Sequence, residues 1–222
     1  MGKLVNPKEC VLFGVEADFA GDVVETLLRS SINIRGSVLA GDVEWDMRPL
    51  DPVDVDSIPP EWLKLPCLVT RNTPGLRKAR YITAEKLGFT NIVSIADPSA
   101  MLPESLEFQS GCYFNTGCAI GAQARLGKSV YVNRNASIGH HSVIDDFVSI
   151  GPGANLASSV HIEAGTLIGA GASVAPGVTI GSNTVVAGGA SIHRDVPSNV
   201  LVAGNPFSIK KTGIAGHKGH SV

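Results

Sequence analysis

The sequence predicts a mainly β fold: a parallel β-helix of six-residue repeats, preceded by a small, Rossmann-like α/β domain. Three observations carry the prediction. Apolar residues recur at every sixth position from Leu102 to Ile192, sixteen in succession without an insertion. Four residues beyond each anchor stands a second, generally small residue, as at Cys112, Cys118, Ala124, Ala136, Ser142, Ala154, Ala190 and Val196. The chain also combines 25 Gly and 13 Pro with 44% apolar but only 5% aromatic residues. That composition fits many short strands and tight corners, not disorder.

An α-helix repeats near 3.6 residues and a half-buried strand near two, so neither accounts for a period of six. A unit of one short strand plus one corner does. The anchor fills the interior and the small residue packs at the corner. The glycines that often follow the anchor, such as Gly121, Gly127, Gly139, Gly151, Gly169 and Gly181, allow a close turn. Three sides close a coil of about 18 residues that stacks on the next at about 4.8 Å. Sixteen hexads therefore make slightly more than five coils. Each coil buries its faces only against its neighbours, so the column must be long and capped.

Residues 1–97 read differently. Cys10 to Gly14 is a short apolar strand, Asp22 to Ser30 has helical spacing, and Ile34 to Leu39 is a second strand. An acidic, Pro-rich stretch from Asp51 to Pro60 follows. Then come a strand at Cys67 to Thr70, a basic helix at Pro74 to Leu87, and a closing strand at Asn91 to Ile95. The expected division is an α/β substrate domain over 1–97, a β-helix over 98–211 and a flexible, glycine-rich tail over 212–222.

The bulk properties narrow the function. A net charge of −2 gives no reason to expect nucleic acid or an anionic membrane as partner. No apolar run reaches the length of a membrane span, and the first residues lack the blocks of a secretory signal. Cys10, Cys67, Cys112 and Cys118 show no CxxC spacing and read as reduced core thiols of a cytoplasmic protein.

The hexads, with Asp97-Pro98-Ser99-Ala100 before them and Ala203-Gly204-Asn205-Pro206 after, resemble the hexapeptide-repeat acyltransferases. More narrowly, the layout resembles the bacterial sugar acyltransferases of sialic-acid and bacillosamine-type pathways. The resemblance implies a left-handed coil and a homotrimer with sites between neighbouring columns. It implies acetyl-CoA as co-substrate, no metal, and a nucleotide-linked sugar held by the first domain. In such proteins a glycine-rich loop after the first strand receives the nucleotide. Here only Gly14 of that cluster stands in place, followed by Glu16 and Asp18, and Asp42 is the nearest acid after the second strand.

For the chemistry, the resemblance points to His140 in Ile138-Gly139-His140-His141-Ser142. Acyl transfer from a thioester to an amine or hydroxyl needs a base, and imidazole serves near neutrality. The acid expected beside that base is replaced by His141, with Asp145 and Asp146 as nearby substitutes. Asn133 matches a polar residue kept near the pocket, although Asn is also a turn former. For the thin pantetheine arm the expected residues are Ser158, one coil above His140, and Gly169, Ala170 and Gly188. Pro206, Lys210 and Lys211 stand at the column's end.

Two other readings compete. One is a zinc enzyme of the carbonic anhydrase type drawing on His140, His141, His161 and His193, which the differing places of these residues in their hexads oppose. The other is a non-catalytic scaffold trimer. The expected function is an acetyl-CoA-dependent acetyltransferase acting on an amino or hydroxyl group of a sugar.

Overall fold

Each hexad from Glu107–Phe108 to Ser191–Ile192 supplies a two-residue strand that ends on its anchor and pairs in parallel with the strands one coil away, while the first anchor, Leu102, follows only a single bridge from Met101 to Ala119. The structure is a computed structural model and describes residues 4, 6–15, 17–39 and 51–222. One face stacks Ala119–Ile120, Ser137–Ile138, Asn155–Leu156, Ser173–Val174 and Ser191–Ile192, and we call it the serine face. The charged face stacks Glu107–Phe108, Arg125–Leu126, Val143–Ile144, His161–Ile162 and Thr179–Ile180. The third, the domain face, runs from Ile95–Ala96 through Tyr113–Phe114, Tyr131–Val132, Ser149–Ile150, Leu167–Ile168 and Val185–Val186. It ends on Val200–Ala203 and the antiparallel strand Ser208–Thr212. The anchors and the small corner residues together form one buried core.

The corners repeat one backbone choice. The third residue after the anchor is left-handed at every corner from Gly111 to Gly189, including Gln123, Ser129, Asn135, His141, Phe147, Ser159 and Asn183. The glycines directly after the anchor serve a different need from the one expected of them. They have ordinary backbone angles, but a Cβ on Gly139 would stand 2.5 Å from Ser158 N of the next coil. Close stacking, not an unusual φ, demands glycine there.

Both ends of the column differ from the simple repeat. The ladder begins at Ile95–Ala96, whose residues pair with Tyr113 and Phe114. At the other end the period slips: Val196 pairs with Ile180 and Val202 with Val186. Val196 therefore takes an anchor's place, although its position in the repeat predicts the small corner residue. The column accordingly runs to about six coils. The strand Ser208–Thr212 then pairs antiparallel with Val200–Ala203 and closes that end.

The first domain is built from β1 (Glu9–Val15), α1 (Ala17–Arg29), β2 (Asn33–Leu39), β3 (Cys67–Val69) and α2 (Pro74–Leu87), its parallel sheet ordered β2-β1-β3. The expected closing strand divides its pairing. Ile92 bridges to Cys67 of β3, while Ile95 and Ala96 join the column. This shared segment makes the two parts pack as one body. Phe19 meets Tyr113 edge-on at 5.8 Å and lies 5.5 Å from Tyr131. The Tyr131 hydroxyl donates to Val69 O. All four cysteines are buried free thiols, and burial pushes Cys10, Cys112 and Cys118 up to about 12. No described helix is long and apolar enough to cross a membrane.

Asp97 pins α1 to the foot of the column. Its carboxylate accepts from Ser99 N at 2.9 Å and Ser99 Oγ at 2.5 Å, and pairs with Arg29 at 2.5 Å. Burial alone would raise this carboxyl, but the Ser99 hydrogen bonds, the Arg29 charge and Thr26 outweigh it and hold it below the usual carboxylate range. A lowered folded value means that the stabilisation is present above the unfolded value, about 4, and is lost as pH falls through the folded one. Asp97→Asn is therefore expected to narrow the gap between melting temperatures at pH 7 and pH 3.5, measured by circular dichroism. An unchanged gap would contradict this account.

Candidate active site

His140 and His141 occupy the corner between the serine face and the charged face. The backbone holds them from both sides: His141 N donates to Ala122 O of the coil below at 3.0 Å, and Ser159 N of the coil above donates to His140 O at 2.9 Å. A Cβ on Gly121 would run into the His140 backbone, so glycine there lets the coil sit close. His141 takes the left-handed position, φ +60°, an uncommon conformation for a residue with a side chain. That turn brings the two imidazoles face to edge, with Nδ1 of His140 2.8 Å from Nδ1 of His141. Both rings are exposed.

One Nδ1 must donate and the other accept. If His140 donates, its Nε2 carries a lone pair directed away from His141 and can take a proton. This is the tautomer a base requires, held by a second imidazole where a carboxylate would ordinarily stand. The two nearby acids are engaged elsewhere. Asp145 Oδ2 lies 3.1 Å from His161 Nε2, and Asp146 Oδ1 accepts from Lys128 N at 2.7 Å. His193 Nε2 lies 2.9 Å from Arg194. Among the described residues no three His, Cys, Asp or Glu side chains gather as a metal cluster.

The remaining candidates divide among three places. Ser158 stands directly over His140, since Ser137 and Ile138 pair with Asn155 and Leu156. Gly169, Ala170 and Gly188 lie on the other edge of the serine face, where a Cβ on Gly169 would come 2.5 Å from Gly188 N. Asn133 shares that edge. It is buried, and its Oδ1 accepts from Asn115 Nδ2 at 3.0 Å and Arg134 N at 3.1 Å. Asn115 and Arg134 both donate to Asp22 of α1, so Asn133 belongs to the docking of that helix. Pro206, Lys210 and Lys211 are exposed at the column's end, the lysines on the strand that extends the domain face.

The edge that carries His140 leads upward through Ser158 and Pro176 to Arg194, whose guanidinium lies 4.7 Å over the Phe207 ring. Arg194 is not among the residues expected from the sequence, although its place in the repeat, three coils above His140, is a usable signal. A concavity of about 570 Å³ opens on the charged face beside Glu107, Arg125 and Asp145, and His140 does not line it. In one chain His140 therefore stands on an open edge.

In the first domain, β1 ends at Val15 and α1 begins at Ala17, and Gly14 is the only glycine between Cys10 and Ala20. Gly14 has φ +75°, and a Cβ there would stand 2.6 Å from Arg80 Cδ. Its carbonyl accepts from Arg80 Nη1 at 2.6 Å. Asp42, Glu16 and the side chain of Asp18 lie outside the described residues.

A family model for the bacterial transferase hexapeptide, six repeats long, matches residues 159–194. No curated protein matches the sequence significantly. Solved structures do. A variant of perosamine N-acetyltransferase from Caulobacter crescentus, in complex with CoA and GDP-perosamine, is 27% identical with a TM-score of 0.82; the match covers 95% of this chain and 100% of that one. The acetyltransferase domain of PglB from Neisseria gonorrhoeae, in complex with acetyl coenzyme A, is 24% identical with a TM-score of 0.81 over 91% of this chain and 99% of that one. WeeI from Acinetobacter baumannii is 22% identical, with a TM-score of 0.77 over 90% and 98% of the two chains. The repeat, the architecture and these likenesses give the chain the fold of the hexapeptide-repeat transferases, whose family model matches its residues 159–194.

Proposed function

We propose that this chain transfers the acetyl group of acetyl-CoA to the amino group of a nucleotide-linked sugar. His140 is the base and His141 its orienting partner. The observation that carries the reading is the 2.8 Å contact between the two Nδ1 atoms, which fixes one imidazole by means of the other. As the amine attacks the thioester carbonyl, His140 Nε2 takes its proton. The C–S bond then breaks, and the imidazolium returns the proton to the departing thiolate. The products are the N-acetyl sugar and free CoA thiol. Backbone N–H groups of the corner stabilise the oxyanion.

The acyl donor's place implies a homotrimer. Ser158 and Arg194 lie on His140's edge, while Gly169, Ala170 and Gly188 lie on the opposite edge of the serine face. One groove can hold both sets only where the first edge of one column meets the second edge of another. The outward residues between them, Ala119, Ser137, Asn155, Ser173 and Ser191, are small and uncharged. The complexes of the perosamine and PglB proteins with CoA compounds support the donor, and GDP-perosamine supports an amino sugar as acceptor.

The test is thiol release from acetyl-CoA with UDP-, GDP- and dTDP-linked amino sugars. One nucleotide class is expected to give turnover. His141→Ala should lower it about 10- to 100-fold, as loss of an orienting partner does, and His141→Glu should restore most of it. Absence of thiol release with every acceptor would refute the proposal.

A further inference from the structure

His140 stands on the one edge of the column that does not border the domain face, so within a single chain it is turned away from the first domain. The edge between the domain face and the serine face repeats the same corner six residues earlier. Arg134 follows the anchor Val132 by two residues, as His140 follows Ile138. Its backbone is held in the same way. Asn135 N donates to Thr116 O of the coil below at 2.9 Å, and Gly153 N of the coil above donates to Arg134 O at 2.9 Å. Asn135 takes the left-handed place, φ +55°. Arg134 and His140 are therefore equivalent tips on the two edges of the serine face.

Charge singles Arg134 out. The tips stacked on its edge are Thr116, Arg134, Pro152, Ala170 and Gly188, and of these only Arg134 is ionisable. Its Nη1 donates to Asp22 Oδ2 of α1 at 2.7 Å, and Asn115 Nδ2 donates to the same oxygen at 3.1 Å. The Arg134 and Asp22 side chains stay 55% and 40% exposed, and a pair so open to water contributes little to stability. A guanidinium carries five N–H donors. Among the described residues only Asp22 accepts from this side chain, so the carboxylate sets its direction and donors remain for a ligand.

Height along the column decides what Arg134 meets. Six residues raise the chain by a third of a coil, on the order of 1.6 Å. Rotation about a trimer axis that runs along the columns leaves height unchanged. Where the His140 edge of one column meets the Arg134 edge of the next, the two tips therefore stand nearly level across the groove. The residues expected to hold the donor, Ser158, Ala170 and Gly188, all lie higher in the column. The place beside His140 and Arg134 is left to the acceptor.

We infer that Arg134, aimed by Asp22, binds the acceptor sugar in trans, donating hydrogen bonds to its oxygens while the partner subunit's His140 takes the proton from its amine. The inference rests on the acetyl-transfer and trimer reading above, and adds a residue that each site borrows from the next chain.

Thiol release at acceptor concentrations below KM tests it, with two variants prepared alone and then co-expressed as differently tagged chains. Arg134→Ala is expected to lower kcat/KM for the nucleotide-linked amino sugar about tenfold or more, with KM for acetyl-CoA within about twofold of native. His140→Ala alone should be nearly inactive. Mixed trimers of the two are expected to regain about a quarter of native turnover, since random assembly sets an intact His140 edge against an intact Arg134 edge at one interface in four. A role confined to the folding of its own chain gives no such recovery. Mixed activity no higher than the average of the two parents overturns the inference. So does a folded Arg134→Ala protein with native kcat/KM, or a native protein that is active as a monomer. Arg134→Gln serves the same test if the alanine variant does not assemble. A native protein that releases no thiol with any acceptor counts against the proposed function instead.

Discussion

Replacement of His140 by alanine is expected to lower turnover about 10²- to 10⁴-fold, the usual contribution of a positioned general base. Binding of acetyl-CoA, followed by calorimetry, should be unchanged. The expectation separates two roles that one corner could play. A residue that merely shaped the corner would change stability and donor affinity together, because the coil above and the coil below both bond to this turn. A base changes the chemical step alone. His140 is exposed and its side chain fills no part of the core, so His140→Ala should melt within about 0.5 kcal/mol of the native protein, as surface substitutions do. Full activity in the alanine variant would remove His140 from the mechanism.

The largest expected loss of stability comes from Arg77. This side chain is fully buried and satisfies its guanidinium without any carboxylate. Nε donates to Ser129 O at 2.9 Å, and Nη1 donates to Arg71 O, Asn72 O and Ser149 Oγ at 2.7, 3.0 and 2.8 Å. Nη2 donates to Phe147 O and Val148 O at 2.8 and 3.0 Å, and the group lies 4.2 Å over the Tyr131 ring. Burial pushes Arg77 down to about 10, so it remains charged at neutral pH. Arg77→Ala would leave several buried carbonyls unpaired and a cavity at the junction of α2 with the column. A loss of about 4 kcal/mol is expected, a fall in melting temperature on the order of 10 °C. Arg77→Lys should fail nearly as badly, since a point charge cannot serve carbonyls on both sides of the junction. A melting temperature within 2–3 °C of native in either variant would show that the junction is held by its aromatic contacts instead.

The column was legible because its pattern is local and its packing repeats. Ile138 meets Ile120 and Leu156, residues of its own kind 18 positions away, so reading one hexad amounts to reading its surroundings. The first domain was legible in outline for a similar reason. Apolar runs such as Cys10 to Gly14 and Cys67 to Thr70 become β1 and β3 nearly as spaced. The misread positions are those where the period breaks or distant segments meet. Val196 has the right size for a corner, but the slip near the end of the column makes it an anchor. The tail's glycines signal freedom in an isolated chain, yet Gly216 at φ +75° is what lets the tail turn onto Gly75.

The candidate site divides along the same line. Sequence alone determined that His140 stands on a corner, that Ser158 lies above it, and that the latter half of the chain is a three-sided column, because a fixed period dictates which residues stack. Only the tertiary structure decided that His141 turns its Nδ1 to His140, that Asp145 and Asp146 are occupied elsewhere, and that Asn133 serves the docking of α1. It also decided that Arg77 is a buried junction and not one charge on a basic helix. Those outcomes depend on rotamers, a left-handed turn and contacts between residues as far as 112 positions apart, and the hexad spacing alone does not encode them.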